Sequence, residues 1–211
     1  MFRKITRKKL EEFIKNHASS SKTLDLGCGL SLYKKYFPNR VGFDIKPGPN
    51  VDVVGDAHLL PFADEEFDII LCSEVLEHLK DPKLAISEMK RVLKKNGKLI
   101  LTTRFIYPIH DSPHDFWRFT KYGLLELFRD WELIELKEES GSIESIGVLF
   151  QRLGLQTRSP VTKFFKIVFF IMPYLINPLK FLISQEYGDI QKKIKEKNIL
   201  ASGYYLVCIK K

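Results

Sequence analysis

From Thr23 to Thr103, short apolar runs alternate with amphipathic stretches, and this alternation constrains the fold more than any other feature of the 211-residue chain. It predicts strands at Thr23–Cys28, Val41–Ile45, Val51–Val54, Phe67–Cys72 and Lys98–Thr103, a short helix at Leu32–Tyr36 and a longer one at Pro82–Leu93. Runs such as Phe67-Asp68-Ile69-Ile70-Leu71 read as buried on both faces, as in a parallel sheet covered by helices. Pro82 suits a first helical turn, and Asn96-Gly97 reads as a stop just past the last one. An amphipathic helix is expected over Lys4–Asn16, carried by Ile5, Leu10, Phe13 and Ile14 and ended by Ser19-Ser20-Ser21. Downstream lie a helix at Tyr122–Phe128 and strands at Trp131–Leu136 and Gly203–Ile209. The expected architecture is a single α/β domain over residues 1–211, with a doubly wound, mostly parallel seven-stranded sheet and helices on both faces.

Residues 142–200 form an expected helical insertion between the last two strands. Its centre, Phe164 to Ile176, is the strongest apolar segment of the chain. A membrane span needs about 20 mostly apolar residues, and Lys166, Pro173, Asn177, Pro178 and Lys180 interrupt this one. A core or lid helix pair is the leading reading; the alternative is an interfacial membrane helix, with peripheral contact through residues 160–184.

A composition 45% hydrophobic and 28% charged, with only 12 Gly and 10 Pro, excludes disordered and collagen-like chains. The 34 Lys and Arg against 26 Asp and Glu give a net charge of +8, which favours anionic partners without choosing among them. Three cysteines far apart, with no CxxC pair, argue against a disulfide framework or zinc ribbon and for a reducing compartment. The basic N-terminus leads into a charged helical stretch with no apolar signal core behind it. A cytoplasmic protein is expected, membrane-associated if the insertion makes that contact.

Leu24-Asp25-Leu26-Gly27-Cys28-Gly29-Leu30-Ser31 places two glycines where a strand ends, so that backbone can approach a ligand closely. The dinucleotide fingerprint requires a third glycine where Leu32 stands, and no phosphate-binding G-x-x-x-x-G-K-[ST] loop occurs. Asp44 ends the next strand, where a carboxylate can accept both hydroxyls of a ribose. Gly55-Asp56-Ala57 with Leu59-Leu60-Pro61-Phe62, then Phe67-Asp68, then Ser73-Glu74-Val75-Leu76-Glu77-His78-Leu79 follow in order. Together these five motifs, from about Thr23 to Thr103, resemble the class I S-adenosylmethionine-dependent methyltransferases, particularly their small-molecule, type 11-like branch. The resemblance implies a Rossmann-like fold, S-adenosyl-L-methionine as cofactor, and roles position by position. Asp25, Gly27, Cys28 and Gly29 would turn around the methionine part of the cofactor. Asp44 would hold the ribose hydroxyls with Ile45 beside it, and Asp56 would accept from the adenine amino group, next to Ala57. Ser73 and Glu74 would face the amino-acid portion. The family often has a third glycine at Ser31. Glu77 and His78 read as capping or packing residues.

Residues 103–120, after the fifth strand, hold two His, two Asp, two Arg and several aromatics, far more functional chemistry than a connector requires. Arg104, Tyr107, Asp115, Trp117 and Arg118 are the expected substrate residues. His110 and His114 are the candidate general bases, since an imidazole suits proton removal at neutral pH. The alternative is that His114, Asp115, Trp117 and Arg118 close the loop through internal hydrogen bonds and ring stacking. His110, Asp111, His114 and Asp115 also carry metal-ligand atoms, but Pro113 and the absence of a helix leave their spacing unfixed, and no metal is expected.

The function expected is methyl transfer to a small-molecule, saccharide or lipid-linked acceptor. The alternatives are a non-catalytic protein that binds S-adenosylmethionine or S-adenosylhomocysteine, and a nucleic-acid methyltransferase, which the charge permits but no N-P-P-Y tetrapeptide or RNA-binding appendage supports.

Overall fold

The computed structural model describes residues 5–157 and 162–211. The expected helix start at Lys4 and residues 158–161 of the expected insertion and membrane face lie outside them. The chain divides into two compact units. The larger comprises residues 11–104, 109–137 and 204–211; the smaller comprises residues up to Leu10, then 105–108 and 138–203.

One seven-stranded sheet contains β1 (Thr23–Leu26), β2 (Arg40–Asp44), β3 (Val53–Val54), β4 (Phe67–Ser73), β5 (Leu93–Arg104), β6 (Glu132–Glu138) and β9 (Gly203–Ile209), in the order β3-β2-β1-β4-β5-β9-β6. The pairs β1–β2, β2–β3, β1–β4 and β4–β5 are parallel. Leu24, Leu26, Phe67, Ile70, Leu71, Cys72, Leu99, Ile100 and Leu101 are almost entirely buried, which is why their runs are continuous rather than alternating. The chain runs outward from β1 through β2 to β3, then returns to the other side of β1 for β4. The order therefore reverses between β1 and β4, and ligands of such sheets bind at the carboxyl ends beside that point.

Helix α1 (Ile5–Asn16) buries Phe13 and Ile14, with the Phe13 ring stacked on Tyr205 at 4.6 Å. Helix α2 (Pro82–Val92) starts where Asp81 accepts from Leu84 N at 3.0 Å, and it buries Ala85, Ile86, Met89 and Val92 along one stripe. Helix α3 (Lys121–Leu127) is capped by Thr120, which accepts from Gly123 N.

Two expected elements end differently. Asn96-Gly97 does not stop a helix: α2 ends at Val92, and the chain enters β5 at once, paired with Phe67 at Leu93 and with Ile69 at Lys98. The register break falls between them, where Asn96 takes the left-handed conformation (φ +60°) that asparagine tolerates better than most side chains. The expected helix at Leu32–Tyr36 is a single 3-10 turn, Lys34–Tyr36, because Pro38 bars a continuation.

In the smaller unit, α4 (Ser142–Gln156) packs against α5 (Thr162–Ile176) through two glycines. A methyl on Gly154 would stand 2.7 Å from Phe169 Cβ, and one on Gly147 3.0 Å from Pro173 Cβ. The insertion is helical only in its first part. After a 3-10 segment at Asn177–Leu182 it forms an antiparallel ribbon, β7 (Glu186–Tyr187) with β8 (Lys195–Glu196). Asp189 fixes the intervening turn by accepting from Lys193 N and Ile194 N. Among the described residues, no helix is long and apolar enough to cross a membrane.

Candidate functional site

The site in the larger unit begins where β1 ends. Gly27 and Gly29 both take positive φ, +68° and +48°, and both are exposed. The turn is bound to the neighbouring strand: Gly27 N and Cys28 N donate to Phe43 O at 2.8 and 3.1 Å. Gly29 N donates to Asp44 Oδ2 at 2.9 Å, and Asp44 Oδ1 accepts from Lys46 N at 3.1 Å. The third position is filled by Ser31 in a glycine-like conformation (φ +48°), its hydroxyl 3.3 Å from Asp25 Oδ2. The missing glycine is thus replaced by a serine whose side chain stabilises the turn.

Asp25 is buried beneath this turn. Burial raises its carboxyl to about 6, against the opposing charge of Arg40. Cys28 is also buried, with Sγ 3.6 Å from Asn50 O, and burial pushes its thiol up to about 11, so it stays a neutral packing group. Gly55 N bonds to Asp44 O, which brings Asp56 and Ala57 to the same edge of the sheet. Asp56 is exposed, and its Oδ1 caps its own turn by accepting from His58 N and from the His58 ring. The His58 backbone N–H is the main reason its carboxyl lies below the usual range. Ile45, Leu59 and Leu30 are 67%, 78% and 74% exposed, an apolar rim beside these acids.

At the end of β4, Ser73 Oγ lies 3.1 Å from Thr102 Oγ1. Glu74 has φ +58°, and its N–H reaches Thr102 O. Its carboxylate is bonded to the guanidinium of Arg104, which is buried. Arg104, expected to meet the substrate, therefore orients Glu74 from behind.

The loop that follows is folded on itself. Asp115, whose side chain is only 1% exposed, takes two bonds from Arg118 at 2.6 and 2.8 Å and one from His110 N. Arg118 first of all holds the Asp115 carboxyl down at about 2. The loop docks on the 3-10 turn Leu76–His78: Glu77 O accepts from Phe116 N and Trp117 N, Leu79 O from Trp117 Nε1, and His114 O from His78 Nδ1. His114 is exposed, with its ring 6.3 Å from Phe116, and the Trp117 ring stacks on Phe119. Tyr107 is not part of this loop cluster. It belongs to the smaller unit, buried, with the Arg152 guanidinium 4.4 Å from its ring centroid.

Against this geometry, residues 24–101 match the family model described as methyltransferase domain. Those residues are a methyltransferase domain of the class I fold. An uncharacterized protein of Methanocaldococcus jannaschii is 38% identical over 99 residues, 43% of this chain and 48% of the relative. A ubiquinone biosynthesis O-methyltransferase of Idiomarina loihiensis is 30% identical over 114 residues, covering 43% of this chain and 46% of the relative. The chain thus spans about half the length of these curated relatives. The crystal structure of the YcgJ protein of Bacillus subtilis superposes with a TM-score of 0.57 at 18% identity, over 97% of this chain and 99% of that one, which fixes the fold.

Three parts of the methyltransferase domain escaped the sequence reading. Arg40 lies buried over Gly42, where a Cβ would stand 2.0 Å from its Nη1; that atom is 3.7 Å from both Asp25 and Asp52, and Nη2 donates to Asn50 O at 2.6 Å. Nothing in its neighbourhood in sequence marks it, because its partners come from separate loops. His58 accepts from Asp81 N through Nε2, which leaves Nδ1–H to donate to Asp56 and ties that acid to the start of α2. Glu77 is completely buried. Its Oε2 accepts from Thr103 Oγ1 at 2.8 Å, its Oε1 has no hydrogen-bond partner among the described residues, and burial raises its carboxyl to about 7. Its signal, an acid in an otherwise apolar turn, was present in Glu74-Val75-Leu76-Glu77-His78.

Proposed function

We propose that this chain transfers the methyl group of S-adenosylmethionine to a small-molecule acceptor with an apolar part. The observation that carries the reading is the exposed glycine turn whose Gly29 N–H is held by Asp44, with Asp25, Asp56 and Glu74 along the same carboxyl edge of the sheet. The backbone at Gly27 and Gly29 leaves room for the methionine part, and ionised acids suit a cofactor that carries an ammonium and a sulfonium. Asp44 takes the ribose hydroxyls, Ile45 and the apolar rim take the adenine face, and the remaining Asp56 oxygen takes the adenine amino group.

The Asp25 carboxyl gives this reading a pH signature. In the free protein it protonates near 6, and a cationic ligand favours the carboxylate. Binding therefore displaces a proton, and affinity is lost as pH falls through 6. S-adenosylhomocysteine affinity should drop about tenfold from pH 7 to pH 5, one decade for the one pH unit below the free-state pKa. Asp25→Asn should flatten that dependence. An unchanged slope in the variant would remove Asp25 from the cofactor site.

Methyl transfer is an in-line displacement at an activated carbon, so positioning supplies much of the rate. A hydroxyl acceptor must also lose its proton as it attacks. His114 is the exposed imidazole of the loop and is assigned that proton; His110, turned toward Asp115, orients the loop. A ubiquinone-pathway O-methyltransferase among the relatives supports a hydroxylated, apolar acceptor. So do the exposed Tyr174, Leu175, Phe181 and Leu182 of the smaller unit, for which we propose a role as acceptor lid or lipid contact.

The test is transfer from methyl-labelled S-adenosylmethionine to a panel of phenolic acceptors, with and without prenyl tails, and to RNA. The expected result is labelled small-molecule product, with the double variant His110→Ala/His114→Ala losing turnover far more than S-adenosylhomocysteine affinity. Label found only in RNA, or in nothing while the cofactor binds, would overturn the small-molecule reading.

A further inference from the structure

Glu77, His78 and His110 come from two separated segments, the turn after β4 and the loop after β5, and one ligand atom from each lies within 4.8 Å of the others. We propose that these three side chains bind one divalent transition-metal ion. Two imidazoles and one carboxylate suit zinc, manganese or ferrous iron, and three protein ligands leave at least one position for water or an acceptor oxygen.

The surroundings of the three groups distinguish this cluster from a chance meeting of polar side chains. Imidazole ligands usually donate their second ring nitrogen to a carbonyl or carboxylate, which fixes the tautomer and aims the other nitrogen at the ion. His78 Nδ1 lies 2.7 Å from the His114 carbonyl oxygen, which can only accept, so Nδ1 carries the proton and Nε2 carries the lone pair. His110 Nδ1 lies 3.2 Å from Asp115 Oδ2, and that carboxylate is itself held rigid by Arg118. The two rings meet edge to face with centroids 4.7 Å apart. The third group, Glu77, is 0% exposed; Thr103 takes one oxygen, and the other is buried with no hydrogen-bond partner among the described residues. A buried carboxylate oxygen left without a donor is costly in an apolar interior, and a cation beside it removes that cost. The same outer contacts, His114 O and the Phe116 and Trp117 N–H groups on Glu77 O, are what dock the loop on the turn. An ion would therefore rivet the two segments together.

The inference does not rest on methyl transfer, and its test is a binding measurement on the full chain. Protein stripped with a chelator is titrated with zinc by calorimetry and with cobalt(II) by visible absorption, with S-adenosylhomocysteine titrated separately on each sample. The expected result is one equivalent of metal and cobalt d–d bands. Glu77→Gln, His78→Ala and His110→Ala should each weaken binding about a hundredfold or more, and Asp115→Asn about ten- to a hundredfold through the lost outer contact. His114→Ala, which keeps the backbone carbonyl, should bind as the wild type does. Should Glu77→Gln fail to fold, His110→Ala on the loop carries the test alone. Folded wild-type protein that takes up no stoichiometric metal, or metal binding indifferent to these ligand substitutions, would overturn the proposal, whether or not S-adenosylhomocysteine binds.

Discussion

Gly27→Ala is expected to abolish S-adenosylhomocysteine binding at concentrations where the wild type saturates, a loss of about a hundredfold or more, and to lower the melting temperature as well. Two costs add at this residue. An alanine at φ +68° sits in the left-handed region, at about 1–2 kcal/mol. Its Cβ would also stand 2.2 Å from Val75 Cγ2, and relieving such an overlap costs a further 1–3 kcal/mol or so. At about 2–4 °C per kcal/mol for a chain of this size, the melting temperature should fall by about 5–15 °C. Because Gly27 N and Cys28 N are both bonded to Phe43 O, the turn cannot shift without pulling Gly29 off Asp44. The double variant Gly27→Ala/Val75→Ala removes the overlap and keeps the backbone cost, so it should recover part of the stability. Full recovery would show that the left-handed conformation contributes nothing; no loss in the single variant would contradict the geometry of the turn.

Asp44→Ala is expected to weaken S-adenosylhomocysteine ten- to a hundredfold while leaving the protein folded. Each hydrogen bond to a charged acceptor contributes about 1.5–3 kcal/mol, and about 1.4 kcal/mol is one decade of affinity. The carboxylate has a double task, because its oxygens already take Gly29 N and Lys46 N and retain lone pairs for the ribose. Asp44→Asn separates the tasks: its single carbonyl oxygen can hold the turn, while its amide offers a donor where the ribose presents donors. The asparagine variant should therefore keep the wild-type melting temperature and lose affinity. Affinity preserved in Asp44→Asn would assign Asp44 to the turn alone.

The sheet was legible because its central strands are buried on both faces and leave unbroken apolar runs, and β9 begins and ends where its run of apolar residues does. The acids Asp25, Asp44 and Asp56 were legible for a related reason: each stands at or beside a strand, where the local pattern has no use for a charge. Asn96-Gly97 misled, because a residue pair that tolerates positive φ marks a sharp bend without saying which element the bend interrupts. The ribbon of β7 and β8 was hidden in an insertion whose apolar helix dominated its pattern. Arg40 and Glu77 were missed for the converse reason. Their meaning lies in contacts between segments distant in the chain, Arg40 with Asp25 and Asp52, Glu77 with Thr103 and His110, and no local periodicity encodes those. Arg104 read as a substrate residue from its place in a functional loop, whereas its burial against Glu74 makes it a support for a site residue.

The most direct test of the cofactor site is calorimetric titration of S-adenosylhomocysteine into the wild-type chain at pH 7.5, with Gly27→Ala and Asp44→Ala as comparators. The account predicts one site of micromolar affinity that both substitutions weaken. A folded wild type that releases no heat and shows no thermal stabilisation by the ligand would contradict it, leaving a methyltransferase fold whose glycine turn serves some other ligand.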